Sequence, residues 1–247
     1  MATSQVFWSL VKQDVKGRRT RNRRFPKAWR ITYLVIIILA IIGYTTYSAL
    51  QKNVDFSAIW LFSLGMPFVV FGISLSIVAR EWRNNTAAWW LSLPYSRIKL
   101  MTAKWIASML RGVLFDIAVF LVVALLSLYS MALQGDLTHP FLLPFFSQGI
   151  RWFLFVIAIT PFVSSLGILF AIITRSKARP VIPLLWVLFI LLWNVVYGHN
   201  SRWLTINSHQ TTITLSSAHF LIMVASWVIA YVLIHVCSYL LDHQLAM

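Results

Sequence analysis

The sequence is poor in acidic residues and in cysteine. Only 6 of the 247 residues are Asp or Glu, and no two of them share an apolar segment, which disfavours an enzyme built on a carboxylate pair. The single cysteine, Cys237, cannot form an intramolecular disulfide. The six histidines are scattered along the chain, so the sequence predicts no metal site and no catalytic residues.

Charge of either sign is also scarce, at 11% of residues against about a quarter in soluble proteins. Apolar residues make up 60% and the mean hydropathy is +0.78, more than a water-soluble core can hide. The bilayer must therefore solvate most of the chain. The net charge of +15 comes from Lys and Arg clustered between long apolar runs, a pattern of membrane topology that argues against a nucleic-acid partner.

Six apolar segments approach or exceed the roughly 20 residues that a helix needs to cross a bilayer. They are Ile31–Leu50, Phe56–Ala79, Gly112–Leu133, Trp152–Ile173, Val181–Gly198 and Ala218–Leu241. The sequence shows no internal repeat and no low-complexity linker, so we predict one domain over residues 1–247. The predicted fold is an all-α integral membrane protein whose six-helix bundle covers residues 31–241.

The distribution of cations predicts the orientation. Of the 21 Lys and Arg, 18 lie before the first span, between spans two and three, or between spans four and five. The other side holds only Lys52, Arg151 and Arg202. Because cytoplasmic loops carry the excess of Lys and Arg, both termini are predicted to be cytoplasmic. We expect a multi-pass protein of the bacterial cell (inner) membrane.

The segment before the first span, residues 6–30, is predicted to lie on the membrane surface. In Val6–Lys16, the side chains of Phe7, Trp8, Val11 and Val15 fall on one side of a helix. An apolar face with tryptophan beside basic residues is typical of an interfacial amphipathic helix. The Arg-rich run that follows would contact anionic headgroups, which makes membrane lipids a predicted partner.

The segment Arg80–Lys104 is too polar at both ends to span the membrane, yet it contains the pair Trp89–Trp90. Trp82, Thr86, one of these tryptophans and Leu93 recur at helical spacing, and Pro94 ends the helix at Leu93 or just before. Lys104 is predicted to open the next helix. A short helix of this kind either lies on lipid or fills a groove in a partner, and both readings stay open on physical grounds.

The order of residues in this segment resembles the cytoplasmic loop of type-2 ABC exporter permeases. The residues that carry the resemblance are Glu81, Thr86, Ser92–Leu93–Pro94–Tyr95–Ser96–Arg97 and Lys104. Asn85 stands where that family commonly has Gly. The resemblance implies a coupling helix between spans two and three, which sits in a cleft of an ATP-binding subunit. The resemblance implies that Glu81 and Arg97 are polar anchors of the loop, and its other motif positions are Thr86, Pro94, Ser96 and Lys104. Three tryptophans are candidates for contact with the partner because of their chemistry and not because of the resemblance: Trp82, Trp89 and Trp90.

The chain has no phosphate-binding G-x-x-x-x-G-K-[ST] loop, so ATP and Mg²⁺ are expected on a separate ABC-type ATP-binding subunit and no cofactor on this chain. We expect a half-size permease that pairs with a second permease copy and exports an amphipathic or hydrophobic cargo: a drug, peptide antibiotic, lipid or glycan. The alternative is a proton-coupled or accessory membrane protein without an ATPase partner. Glu81→Ala and Arg97→Ala are expected to abolish stimulated ATP hydrolysis and to leave membrane insertion intact.

Two polar residues within predicted spans are candidates for translocation or gating. Asp116 lies in the third span, where an ionised side chain at mid-depth costs about 2.5–3.5 kcal/mol. Such residues usually face the bundle interior or water. Asp116 follows Arg111 by about one turn, so a structural pairing near the headgroups is the competing interpretation. Asn194 in the fifth span is the second candidate, on weaker grounds.

Overall fold

The computed structural model describes residues 2–16, 27–51, 59–135, 139–197, 204–207, 210–213 and 217–243. These residues form helices, the short turns that join them, and one short hairpin. The helices are α1 (Ala2–Lys16), α2 (Lys27–Leu50), α3 (Met66–Arg83), α4 (Ala87–Leu91), α5 (Arg97–Gln134), α6 (His139–Ile173), α7 (Ile182–Tyr197) and α8 (Ser217–His243). Two 3-10 segments, Ile59–Gly65 and Arg179–Val181, precede α3 and α7.

Four helices of the described chain are long and apolar enough to cross a membrane. They are Ile31–Leu50, Arg97–Gln134, Leu142–Ile173 and Met223–His243, which correspond to the predicted spans one, three, four and six. This confirms a helical membrane protein. The predicted second span is divided between the first 3-10 segment and the 18 residues of α3, with Pro67 near the start of α3, and α7 has only 16 residues. The count of six spans therefore stays a prediction.

Helix α6 forms the centre of the bundle and packs against α3 and α8. Its residues Val163–Ile173 are buried throughout. Gly167 brings α6 close to α3, because a Cβ at this position would meet the Phe71 carbonyl oxygen at 2.6 Å and the Ser74 Cβ at 2.8 Å. Small residues allow membrane helices to approach in this way. Pro161 lies inside α6, and the helix continues through it.

Helix α2 and the outer faces of α7 and α8 expose large apolar side chains, as lipid-facing helices do. Most of α2 from Ile31 to Ile42 is exposed, and it contacts α5, where the hydroxyls of Thr46 and Tyr129 lie 3.1 Å apart. The chain between α7 and α8 contains an antiparallel hairpin. Its strands are β1 (Leu204–Asn207) and β2 (Gln210–Ile213).

Candidate functional site

The candidate site lies where α1, the C-terminal end of α3, α4 and the N-terminal half of α5 meet. Between α3 and α5 the chain forms what we call the α3–α5 loop, residues 84–96, which contains α4. Helix α3 runs to Arg83 and then turns, with the Asn84 N–H donating to the Arg80 carbonyl at 2.9 Å. Asn85 has φ 56°, a left-handed conformation that asparagine adopts more readily than most residues.

This turn corrects the prediction of one helix from Trp82 to Leu93. Trp82 belongs to α3, and Thr86 begins a separate helix of five residues that ends at Leu91, two residues earlier than Leu93 and three before Pro94. The prediction that Lys104 opens the next helix is also wrong. Helix α5 begins at Arg97, so Lys104 lies about two turns inside it.

Lys104 is the centre of an ion cluster and only 2% of its surface is exposed. Its Nζ lies 2.9 Å from Glu81 Oε1 and 3.2 Å from Asp14 Oδ2. The Thr86 hydroxyl donates to Glu81 Oε2 at 2.5 Å, and the Lys104 ammonium also lies 4.8 Å from the centre of the Trp90 ring. A buried ammonium requires this degree of compensation. The cluster therefore joins Glu81, Thr86 and Lys104, which the sequence placed in one motif.

The charge state of Glu81 reflects two opposed effects. Burial by itself raises the pKa of the Glu81 carboxyl, since it disfavours the charged form. The Lys104 ammonium, the hydrogen bonds from Thr86 and Lys104, and the charge of Arg80 together outweigh burial and hold the pKa below its ordinary value. Glu81 is therefore a carboxylate at neutral pH and accepts both hydrogen bonds.

Helix α1 supplies the second carboxylate, Asp14, which sequence reasoning missed. Asp14 Oδ1 lies 3.6 Å from Arg80 Nη2, in addition to its contact with Lys104. An apolar contact accompanies these ion pairs, since Val11 packs on Ala103 and Ala107 of α5. The face predicted for the membrane surface is thus partly covered by protein, whereas Trp8 stays outside it, 58% exposed.

Arg97 connects the other end of the loop. Its Nη1 donates to the Leu91 carbonyl at the end of α4, and its Nε donates to Asp242 Oδ1 of α8 at 3.3 Å. Ser96 precedes α5 in an extended conformation as its N-cap, and Pro94 is exposed in the turn. Asp242 was also missed. Both missed acids had a signal in the sequence, because a chain with six acids and 21 cations leaves each acid several cationic partners.

The two adjacent tryptophans of α4 differ in exposure. Trp90 is 5% exposed and packs into the bundle with Leu91, whereas Trp89 is 55% exposed. A cleft of about 50 Å³ lies between α1 and α4, and its walls include Gln13, Asn84 and Trp89. Ion pairs and apolar contacts thus connect the loop to α1, α3, α5 and α8.

The two translocation candidates lie away from this site. Asp116 of α5 is 0% exposed, and neither of its carboxylate oxygens has a hydrogen-bond partner among the described residues. The structural pairing considered for it is therefore absent from this part of the chain. Asn194 lies in α7, and its side chain is outside the described residues. A translocation or gating role stays a prediction for both. No group of three or more His, Cys, Asp or Glu that could hold a metal occurs within the described ranges.

The long apolar helices define the class of a helical membrane protein. A protein-family model described as "ABC-2 family transporter protein" matches residues 38–221, a range that includes the α3–α5 loop. The chain belongs to the ABC-2 transporter family, whose members are membrane components of ABC transporters and not themselves catalytic. Neither the curated proteins nor the solved structures contain a significant match.

Proposed function

We propose that the chain is the permease subunit of an ATP-driven exporter in the bacterial cell membrane. It moves an amphipathic or hydrophobic cargo out of the cytoplasm with ATP that a separate ABC-type subunit hydrolyses with Mg²⁺. Two permease copies pair with two such subunits. Each copy has six spans and both termini in the cytoplasm, and the α3–α5 loop contains the coupling helix.

The observation that carries this proposal is the exposed Trp89 on a short helix that is fixed at both ends. Before α4, Thr86 is bonded to Glu81, and after it the Leu91 carbonyl is bonded to Arg97. A partner that pushes on α4 therefore moves α3 and α5 with it. An exposed tryptophan is a common anchor of protein interfaces. The family supports the same assignment, because an ABC permease implies an ATP-binding partner in general.

Segment lengths support six spans. At about 2.0 Å per residue for the 3-10 segment Ile59–Gly65 and about 1.5 Å for α3 as far as Ala79, the two together extend roughly 35 Å, more than the roughly 30 Å hydrocarbon core. Helix α7, with 16 residues, extends roughly 24 Å. A short helix of this kind is accommodated by local thinning of the bilayer.

The test is docking of the ATP-binding subunit with a matched pair of variants. Trp89→Ala and Trp8→Ala each remove a tryptophan that is more than half exposed, the first from α4 and the second from α1. An interface anchor contributes 2 kcal/mol or more, which corresponds to about a 30-fold loss of affinity. We expect this loss for Trp89→Ala, measured as binding of the purified ATP-binding subunit to the permease in nanodiscs.

Trp8→Ala is expected to bind within about twofold of the unchanged protein. Trp89→Ala is a cleaner probe than Glu81→Ala, because Glu81 also compensates the buried Lys104. Equal affinity of the two tryptophan variants would contradict the assignment of α4 as the docking helix. Purification of the chain without any ATP-hydrolysing partner would contradict the proposed function itself.

A further inference from the structure

We propose that Asp14 of α1 is a positioning residue for the α3–α5 loop, an inference that rests on the proposed function. Asp14 is the single carboxylate of α1 and contacts two helices at once. Its Oδ1 lies 3.6 Å from Arg80 Nη2 of α3 and its Oδ2 lies 3.2 Å from Lys104 Nζ of α5. These two partners stand on either side of the loop.

The location of the partners makes this contact more than an attachment of α1. Arg80 precedes the loop by one turn of α3, and Lys104 follows it by about two turns of α5. One carboxylate therefore fixes the spacing between the helix that enters the loop and the helix that leaves it. Glu81 of α3 also links the two helices, because it contacts Lys104 of α5 directly at 2.9 Å.

Helix α1 is held firmly enough to serve as a reference for this spacing. Val11 is buried against Ala103 and Ala107, whose small side chains let α1 approach α5 closely. Arg111 Nε donates to the Val15 carbonyl at 3.0 Å, near the last turn of α1. A cation at a helix C-terminus also interacts favourably with the helix dipole. The C-terminal half of α1 is thus fixed by apolar contact, ion pairs and a hydrogen bond.

Charge compensation explains why neutral residues cannot replace Asp14. Arg80, Lys104 and Arg111 bring three positive charges to the cluster, and the carboxylates of Asp14 and Glu81 bring two negative ones. Without Asp14 the three cations share one carboxylate, and Arg80 and Lys104 repel each other. We therefore expect the α3 and α5 ends of the loop to separate and the position of α4 to become less defined.

The first measurement needs no partner subunit. Spin labels at Lys12→Cys and Ala88→Cys, both exposed positions, report the distance between α1 and α4 by pulsed EPR in nanodiscs, with Cys237→Ser as the background. Asp14→Asn is expected to broaden the distance distribution at least twofold. Asp14→Glu is expected to restore a narrow distribution, because it returns the charge.

A matched control and a second variant keep this measurement decisive. Lys16→Gln removes an exposed charge from the same helix and is expected to leave the distribution unchanged. Arg80→Gln breaks the α3 contact of Asp14 and is expected to broaden it, which provides an independent measurement if Asp14→Asn folds poorly. A narrow distribution in Asp14→Asn or in Arg80→Gln would overturn the positioning role.

The second measurement uses the complex with the ATP-binding subunit. Trapping with ATP, Mg²⁺ and vanadate is expected to shift the label distance in the unchanged protein, and the shifted fraction is expected to fall at least threefold in Asp14→Asn. A full shift in Asp14→Asn would overturn the inference while the proposed function stands. Absence of any ATP-hydrolysing partner would overturn the proposed function, whereas the width measured without a partner would still report on Asp14.

Discussion

The burial of Lys104 makes Glu81→Gln the most informative single substitution in the chain. Glutamine has nearly the shape of glutamate and can still accept the hydrogen bond from Thr86, so the change removes little besides the charge. The substitution leaves the Lys104 ammonium buried, with Lys104 only 2% exposed. Among the described residues, its remaining carboxylate contact is Asp14, 3.2 Å away.

The magnitude follows from this geometry. Breaking a buried ion pair costs about 3–5 kcal/mol because the remaining charge is uncompensated. Asp14 still compensates part of the charge, so the lower end, about 3 kcal/mol, applies to Glu81→Gln. In a protein of this size each kcal/mol shifts the melting temperature by about 2–4 °C, which gives a decrease of about 6–12 °C.

Two further variants test the electrostatic cause. Asp14→Asn added to Glu81→Gln leaves Lys104 without either carboxylate and is expected to reach the upper end, about 5 kcal/mol. Adding Lys104→Met to this pair removes the isolated charge and is expected to recover most of the loss, because an apolar replacement of a whole buried ion cluster is close to neutral. The order of the three melting temperatures is therefore fixed in advance.

The assay is thermal unfolding of the purified protein in one detergent at one scan rate, followed by tryptophan fluorescence. Lys99→Met, an exposed lysine of the same helix, is the matched control and is expected to change the melting temperature by at most about 2 °C. The reasoning is refuted if Glu81→Gln and Lys99→Met have the same melting temperature. It is also refuted if adding Lys104→Met to the double variant fails to raise the melting temperature.

Three other perturbations have defined outcomes. The pKa of Glu81 in the folded protein is held below its ordinary value of 4.5. The stability that Glu81 contributes is therefore complete above pH 4.5 and is lost as the pH falls through the lower folded pKa. Below pH 4.5, the melting temperature of the unchanged protein should fall more steeply with pH than that of Glu81→Gln. Gly149→Ala should lower the melting temperature by at least about 4 °C, because the added Cβ would lie 2.3 Å from the buried ring of Trp60. Gly72 has open space around it, so Gly72→Ala should leave the melting temperature unchanged. Equal effects of the two substitutions would contradict the packing of Trp60 against α6. Asp116→Asn should keep or raise the melting temperature, because neither carboxylate oxygen of Asp116 accepts a hydrogen bond from the described residues, so the substitution breaks none there. A fall of more than about 4 °C would show that Asp116 has a partner.

Local sequence patterns predicted the parts of the site that depend on neighbouring residues. The pattern from Glu81 to Lys104 located the α3–α5 loop, and the contact of Glu81 with Thr86 spans only five residues. The end of α4 was predicted to within two residues, since Pro94 prevents the helix from continuing. The break at Asn85 was not predicted, because asparagine adopts a left-handed conformation in some contexts and a helical one in others.

Contacts between distant residues could not be read from periodicity. Asp14 is 90 residues from Lys104 and Asp242 is 145 residues from Arg97, and a helical pattern states which face a residue occupies but not which helix covers that face. The pattern of α1 therefore predicts a lipid-facing side, although α5 covers part of this side. The excess of cations in the chain indicates that each acid has cationic partners available, but it does not identify the partner.

The positions of the two missed acids suggest how the loop is held. Asp14 of α1 links the stem formed by α3 and α5 through Arg80 and Lys104, and Asp242 of α8 contacts Arg97 where α5 begins. The first link is buried around Lys104, whereas the second joins partly exposed side chains and is worth about 1 kcal/mol or less. Loss of the contact with α8 is therefore expected to cost less stability than loss of the contact with α1.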